Sequence, residues 1–287
     1  MTLVKRFWMR RWLRTLPAAY VSAVVVLIFA TPVNWIDYVM RITFVSSLTP
    51  YYHSDEMRVW WSLASEEYFY LVFPVLMLLW VRSGWRQWAF GLTLASIALL
   101  SVGARVGWLT QLDTLSMGSV ELVPYARLDP MIFGAIIAYI RLKHADWFAR
   151  LNTIGYAPGM VFLWVGLMLL LDKLRWMPWA VGLGHTAIGL GAALIIPAVE
   201  TMRSTGLRWM DRTLVWIAAV SYSMYLYHDI FATFLLRQFG HAQTALHMIP
   251  LFAAYCALTV TASWLSYRLV EQPVLAWRDT HMPDPHH

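Results

Sequence analysis

Two adjacent glutamates lie inside a segment that is long and apolar enough to cross a bilayer. Residues 60–80 read WWSLASEEYFYLVFPVLMLLW and contain Glu66 and Glu67. A carboxylate at membrane depth is costly, and it usually faces a polar interior or a charged partner. We therefore predict that at least one of these two side chains has a function.

The helical spacing of this segment singles out Glu66. Ser62, Glu66 and Tyr70 follow one another at intervals of four residues and share one face of a helix, whereas Glu67 points about a quarter-turn away. A carboxylate between a hydroxyl and a phenol could act as a general base or hold another group in place. The alternative is a structural carboxylate paired with an arginine.

A second polar cluster opens the segment VPYARLDPMIFGAIIAYI. Arg127 is expected at about the membrane depth of Ser62, which makes it a candidate partner for Glu66. Asp129 is a candidate for the same site. Because Pro130 follows it, Asp129 is also typical of a helix N-cap, and both roles stay open.

Two further clusters could carry chemistry. In VSYSMYLYHDIF, Ser221, Tyr225 and His228 share a helix face beside Asp229, which fits either a site or a hydrogen-bonded core histidine. In RFWMRRWLRTLP, the basic residues fit either contact with anionic lipid or the capture of a phosphorylated donor. The residues of this arginine cluster are Arg10, Arg11 and Arg14.

The composition predicts an all-α integral membrane protein. Of 287 residues, 60% are hydrophobic and only 13% are charged, about half the charged share of a soluble protein. The net charge of +6 is not gathered in one patch, which argues against nucleic-acid binding. Neither the histidines nor the single cysteine has metal-ligand spacing, and the glycine-rich run around His185 favours close helix packing.

About eight segments are long enough to span a bilayer, with a re-entrant or interfacial piece at 38–50. We expect one membrane domain over 1–287, with a disordered tail at 279–287. If both termini are cytoplasmic, the inner side collects 15 of the 22 basic residues, in agreement with the positive-inside rule. The predicted spans are 16–36, 60–81, 87–106, 127–142, 154–172, 178–199, 213–236 and 247–268.

Four motifs together resemble the membrane-bound acyltransferase-3 family of sugar and lipid O-acyltransferases. WSLASEEYFYLVFP is similar to its glutamate signature, with Glu66 at the characteristic acid. RRWLRTLP resembles its arginine motif, and RLDPMIFGAIIA its arginine–aspartate–glycine segment. SYSMYLYH and the closing SYRLVEQP are similar to its last two helices. The motifs agree in order and spacing across nearly the whole chain.

The resemblance implies transfer of an acyl group, usually acetyl, from acyl-CoA to a hydroxyl of a carbohydrate or lipid-linked glycan, in a bacterial inner membrane. It implies no bound cofactor, with acyl-CoA as co-substrate, and it allows a homo-oligomer. Family members begin with two more spans, the first of which carries an arginine and a histidine central to catalysis. No residue here matches that histidine, and Gln272 replaces a basic residue in the closing motif.

Two alternatives follow. The first is a truncated, inactive acyltransferase-like protein or partner subunit, to which the unmatched histidine points. The second is a transporter, which the absence of inverted repeats and of paired broken helices in the sequence disfavours.

Overall fold

The computed structural model describes residues 3–29, 34–45, 57, 59–84, 86–111, 124–171, 177–202, 206–240 and 245–283. All regular structure in these ranges is helical, which confirms the predicted class. The α-helices are α1 Leu3–Phe29, α2 Trp35–Ile42, α3 Trp60–Ser83, α4 Gln87–Gln111, α5 Asp129–Lys143, α6 Ala145–Ile154, α7 Tyr156–Leu169, α8 Pro178–Thr201, α9 Arg208–Phe239, α10 Ala245–Ser266 and α11 Gln272–His281. A 3-10 turn at Pro124–Arg127 precedes α5, and a π-helical turn at Tyr267–Glu271 joins α10 to α11.

Five helical stretches in the described chain are long and apolar enough to span a membrane. They are Leu3–Phe29, Trp60–Ser83, Trp88–Gly107, Trp179–Thr201 and Met248–His281. The pair α6 and α7, bent by 63° at Gly155, would be a sixth if it crosses as one broken span. The count of eight is therefore not confirmed.

The predicted spans 127–142 and 213–236 are not among these stretches, for different reasons. Helix α5 has 15 residues, which is shorter than the 20 or so that the hydrocarbon core requires. Helix α9 has 32 residues, but the serines, tyrosines, His228 and Asp229 of its middle part lower its hydropathy. The first span also begins earlier than predicted, at Leu3, so the arginine cluster lies within α1 and not before it.

The helices form two compact units. The first unit combines residues 1–63 with 206–287, and its core joins α1, α2, the start of α3, α9 and α10. Fully buried core residues include Ala18 and Val26 of α1 and Leu226 of α9. The Tyr222 hydroxyl of α9 donates to the Thr15 carbonyl of α1 at 2.8 Å, so a polar contact supplements this apolar packing.

Helix α2 overlaps the first residues of the segment predicted to be re-entrant or interfacial, and it buries charge while exposing apolar side chains. The Arg41 guanidinium contacts the Asp37 carboxylate at 2.9 Å and donates to the Met57 carbonyl at 2.8 Å. Trp35 and Ile36 are each 63% exposed. This inverted amphipathicity suits a short helix that contacts lipid. Residues 46–50 of the predicted piece lie outside the described chain.

The second unit, residues 64–205, is centred on the close pair α7 and α8. A Cβ atom at Gly166 would lie 2.7 Å from the Gly184 carbonyl oxygen, and one at Gly191 would lie 2.7 Å from the Gly159 carbonyl oxygen. The prediction that the glycine-rich run permits close packing is therefore confirmed.

At the C-terminal end of the chain, α11 continues to His281, into the predicted tail, and residues 284–287 lie outside the described chain.

Candidate active site

Helix α3 contains Ser62, Glu66 and Tyr70, the three residues that the sequence predicted on one helix face. Glu66 and Tyr70 are half-buried in the second unit, and neighbouring Glu67 is buried, with 6% exposure. Ser62 belongs to the first unit, where its hydroxyl donates to the Val59 carbonyl at 2.9 Å. Glu67, to which the sequence argument assigned no role, is thus more buried than Glu66.

Two predicted clusters meet in the first unit. The Ser62 hydroxyl is hydrogen-bonded to the Tyr225 phenol, whose oxygen also lies 3.4 Å from the Val59 carbonyl. The Tyr225 ring packs against the His228 imidazole with centroids 5.5 Å apart. Ser221, predicted on the same face, bonds instead to the Ala218 carbonyl of its own helix.

The half-buried His228 is oriented by its own helix. Its Nδ1 lies 2.7 Å from the Tyr225 carbonyl oxygen, so Nδ1 carries the proton and donates. In a neutral imidazole this leaves Nε2 as the acceptor nitrogen. The arrangement is that of an imidazole able to accept a proton from a hydroxyl or to orient one.

Asp129 does not cap α5, contrary to the alternative raised from the sequence. The helix has no side-chain cap, and the fully buried Asp129 carboxylate instead accepts from both terminal nitrogens of Arg105, each at 2.9 Å. The Thr186 hydroxyl also donates to it at 2.9 Å, and the Ser101 hydroxyl lies at 3.4 Å. A buried carboxylate gains more from this bidentate partner than from a backbone amide.

Arg105 is the residue that sequence reasoning missed. It interrupts the apolar run SVGARVGW. An arginine inside a span carries the same signal that singled out Glu66. Its exposure is 1%, and besides Asp129 it donates to the carbonyls of Gly182 at 3.1 Å and Ala126 at 2.6 Å.

This network holds the backbone on both sides of Arg127. Arg105 binds the carbonyl of Ala126, and the Leu128 amide donates to the Ser101 hydroxyl at 3.0 Å. The half-buried Arg127 side chain is therefore attached to a 3-10 turn whose backbone is held in place. Its pairing with Glu66 stays a prediction.

The arginine cluster is partly engaged by the C-terminal segment. Arg10 donates to the Met282 carbonyl and lies 3.4 Å from the Asp279 carboxylate. Arg11 is half-buried and Arg14 is exposed. Arg14 is near enough to interact electrostatically with Glu271.

Glu271, within the closing motif, is a second residue whose environment sequence reasoning did not anticipate. It is 6% exposed and accepts from the Ser223 hydroxyl, which also contacts the Ser266 hydroxyl at 2.9 Å. The π-helical turn that ends at Glu271 adds a residue to the helical register there, and such turns are frequent at functional sites. The sequence signal that could have identified Glu271 is an acidic residue, in VEQP, near the end of an apolar span.

These features define the class as a helical membrane protein. It has buried ion pairs, a cluster of hydroxyls beside an imidazole, and a first helix that carries arginines. Residues 2–268 match the family model Acyl_transf_3, an acyltransferase domain. Because this match covers nearly the whole chain, the chain belongs to the acyltransferase-3 family, as the motifs indicated. In the described chain no group of three or more histidine, cysteine or carboxylate side chains has the arrangement of a metal site.

Two relatives from Staphylococcus aureus are similar over nearly the whole chain. O-acetyltransferase OatA of strain NCTC 8325 is 25% identical over 294 residues, which is 93% of this chain and 47% of the relative. The protein named "Putative O-acetyltransferase SAR0937", of strain MRSA252, is 25% identical over 313 residues, 98% of this chain and 50% of the relative. The chain spans about half the length of these curated relatives. No solved structure matches it.

Proposed function

We propose that the protein is a membrane O-acyltransferase that transfers an acyl group, acetyl in particular, from acyl-CoA to a hydroxyl of a carbohydrate or lipid-linked glycan. The observation that carries the proposal is the family match over residues 2–268. The names of the O-acetyltransferase relatives support acetyl as the group. In this reaction the acceptor oxygen bonds to the acyl carbon, the carbon–sulfur bond breaks, and the hydroxyl proton passes to the CoA thiolate.

We assign acceptor-side roles to Glu66, Tyr70 and Arg127 of the second unit. For His228 of the first unit we propose, separately, the role of a proton acceptor through Nε2. The Glu66 carboxylate would orient the acceptor hydroxyl and draw its proton away. Arg127 would stabilise the negative charge that develops on the acyl carbonyl oxygen. Asp129 acts through Arg105, since its carboxylate is fully buried in that pair, and we therefore assign it a positioning role.

We assign the donor side to Arg10, Arg11 and Arg14, because guanidinium groups suit phosphate oxygens. The proposal places both termini, and therefore these arginines, on the cytoplasmic side of a bacterial inner membrane, where acyl-CoA is available. The exposure of Arg14 supports this role. Arg10 would have to release Asp279 when the donor binds.

The test is transfer of labelled acetyl from acetyl-CoA to the glycan fraction of membranes that contain the full chain. We expect Glu66→Gln and Arg127→Ala to lower the rate by about 10²–10⁴-fold. Glu200→Gln is the matched control, because Glu200 is a partly exposed carboxylate paired with Arg141 at 2.6 Å. It should keep the wild-type rate.

The outcomes separate the function from the site. Wild-type membranes that transfer no acetyl from acetyl-CoA would contradict the proposed reaction. Normal transfer after both Glu66→Gln and Arg127→Ala would instead contradict the residue assignment. For the donor arginines, substitution by glutamine should raise the KM for acetyl-CoA more than it lowers kcat.

A further inference from the structure

A cavity of about 550 Å³ lies within the first unit, and its lining contains none of the residues assigned to acyl transfer. It is open to one side and is lined by the first turns of α9, the end of α10, the π-helical turn and the first residue of α11. Its volume is in the range of small-molecule sites. Its lining includes Asp211, Arg212, Trp216, Trp264, Arg268 and Gln272.

The charged side chains of the cavity are suited to an anion. Arg212 and Arg268 are both exposed, and among the described residues neither forms an ion pair. Within the described ranges the Arg268 guanidinium donates only to the Gln272 amide oxygen, at 3.2 Å. With the carboxylate of Asp211, the lining carries two positive charges and one negative charge, a net charge of +1. Arg208 adds another basic residue one turn earlier on α9.

The remaining walls are suited to an amphiphile. Trp216 and Trp264 are 40% and 43% exposed, and Val215 beside them is 70% exposed. Tryptophans next to arginines at the start of an apolar helical stretch are typical of the bilayer interface, where the headgroups lie. A small inorganic anion would gain nothing from these apolar walls, whereas a lipid would use both parts.

We propose that this cavity binds the headgroup of an anionic phospholipid. Its phosphate contacts Arg212 and Arg268, and its glycerol and upper acyl carbons lie against Trp216 and Trp264. Basic pockets between membrane helices bind anionic headgroups in this way. The site goes beyond the acyl-transfer reaction and does not depend on it.

The test is binding of phosphatidylglycerol or phosphatidylcholine to the purified, delipidated full chain, measured by native mass spectrometry over a range of lipid concentrations. We expect the wild type to prefer phosphatidylglycerol. The double variant Arg212→Gln/Arg268→Gln should bind it roughly 30-fold more weakly, at about fivefold per guanidinium, with binding of phosphatidylcholine unchanged. Asp211→Asn should strengthen binding, because it removes the opposing charge.

The matched control is Arg82→Gln/Arg86→Gln, which removes two exposed arginines from the second unit. It should leave phosphatidylglycerol binding unchanged. Equal loss in this control would show general charge attraction and overturn the proposal. The proposal would also be overturned if Asp211→Asn did not strengthen binding. A third contrary outcome is that free coenzyme A displaces the lipid from the wild type but does not bind the Arg212→Gln/Arg268→Gln variant. That result would assign the cavity to the acyl donor.

Discussion

Several buried charges in the described chain have polar partners on more than one side. Arg105 is enclosed by a carboxylate, a hydroxyl and two backbone carbonyls, and Arg41 by a carboxylate and a carbonyl. Glu271 accepts from a buried serine. Desolvating a charge is affordable only when such partners replace its water. Removing one partner of such a charge should therefore destabilise the protein.

The first prediction concerns the Arg105–Asp129 pair. Arg105→Met should destabilise the protein by about 3–5 kcal/mol, because it leaves the Asp129 carboxylate buried without its counter-charge. The double variant Arg105→Met/Asp129→Leu should recover most of this loss, because an apolar pair of similar volume is often tolerated. Thermal unfolding of the detergent-solubilised chain measures both.

The control for this pair is Arg141→Gln, since the Arg141–Glu200 pair lies at the surface and Arg141 is 58% exposed. Its cost should stay below about 1 kcal/mol. A double variant as unstable as Arg105→Met alone would contradict the charge argument and indicate a packing defect.

The second prediction concerns the serine beside Glu271. Ser223→Ala should cost about 1–3 kcal/mol, because it removes a donor from a buried carboxylate. Ser263→Ala is the matched control: Ser263 is equally buried, but its hydroxyl bonds only to the Thr259 carbonyl of its own helix. Unfolding midpoints that fall equally in both variants would refute a specific role for the Ser223–Glu271 contact.

At the scale of elements, the contact between α7 and α8 depends on backbone proximity. Glycines on both helices let carbonyl oxygens approach positions where a methyl group would overlap them. Helices in lipid associate through such close packing, because lipid tails are as apolar as leucine and give no hydrophobic driving force. Close backbone packing therefore contributes to the stability of this contact.

The third prediction follows from that geometry. Gly166→Ala should destabilise the protein by about 1–3 kcal/mol, because the new methyl group would lie 2.7 Å from the Gly184 carbonyl oxygen and the helices must separate. Gly103→Ala introduces the same group into α4, where nothing lies within 4 Å, and it should be neutral or slightly stabilising. Comparable melting temperatures for the two variants would exclude the close-packing argument.

For the whole molecule, the number of spans decides on which sides the termini lie. Five crossings would put the termini on opposite sides, whereas six would put them on the same side. The bent pair α6–α7 makes the difference. Our prediction that both termini are cytoplasmic therefore requires this pair, or another helix such as α9, to complete an even number.

The fourth prediction tests this topology. Green fluorescent protein fused after His287 or before Met1 should fluoresce in both cases, because it folds only on the cytoplasmic side. Alkaline phosphatase fused at the same ends should be inactive, which provides the reciprocal control. Fluorescence at one end and phosphatase activity at the other would establish an odd number of crossings and overturn the orientation.

The helical class, the family and the residues of the four motifs could be read from the sequence, because hydropathy and spacing are local properties. The close packing of the glycine-rich run was predictable for the same reason. The number of spans was not, since α5 is too short and α9 too polar for length and composition to decide. Whether a marginal helix crosses depends on its neighbours.

Only the tertiary structure showed the partners of the buried polar groups. Asp129 looked like a helix cap and pairs with Arg105, 24 residues away in the chain. Likewise, Ser62 meets Tyr225 across 163 residues, and Glu271 meets Ser223 across 48. A sequence pattern indicates that a charge at membrane depth must have a partner, because desolvation demands one. Which residue it is depends on the side chains that folding brings within hydrogen-bond distance.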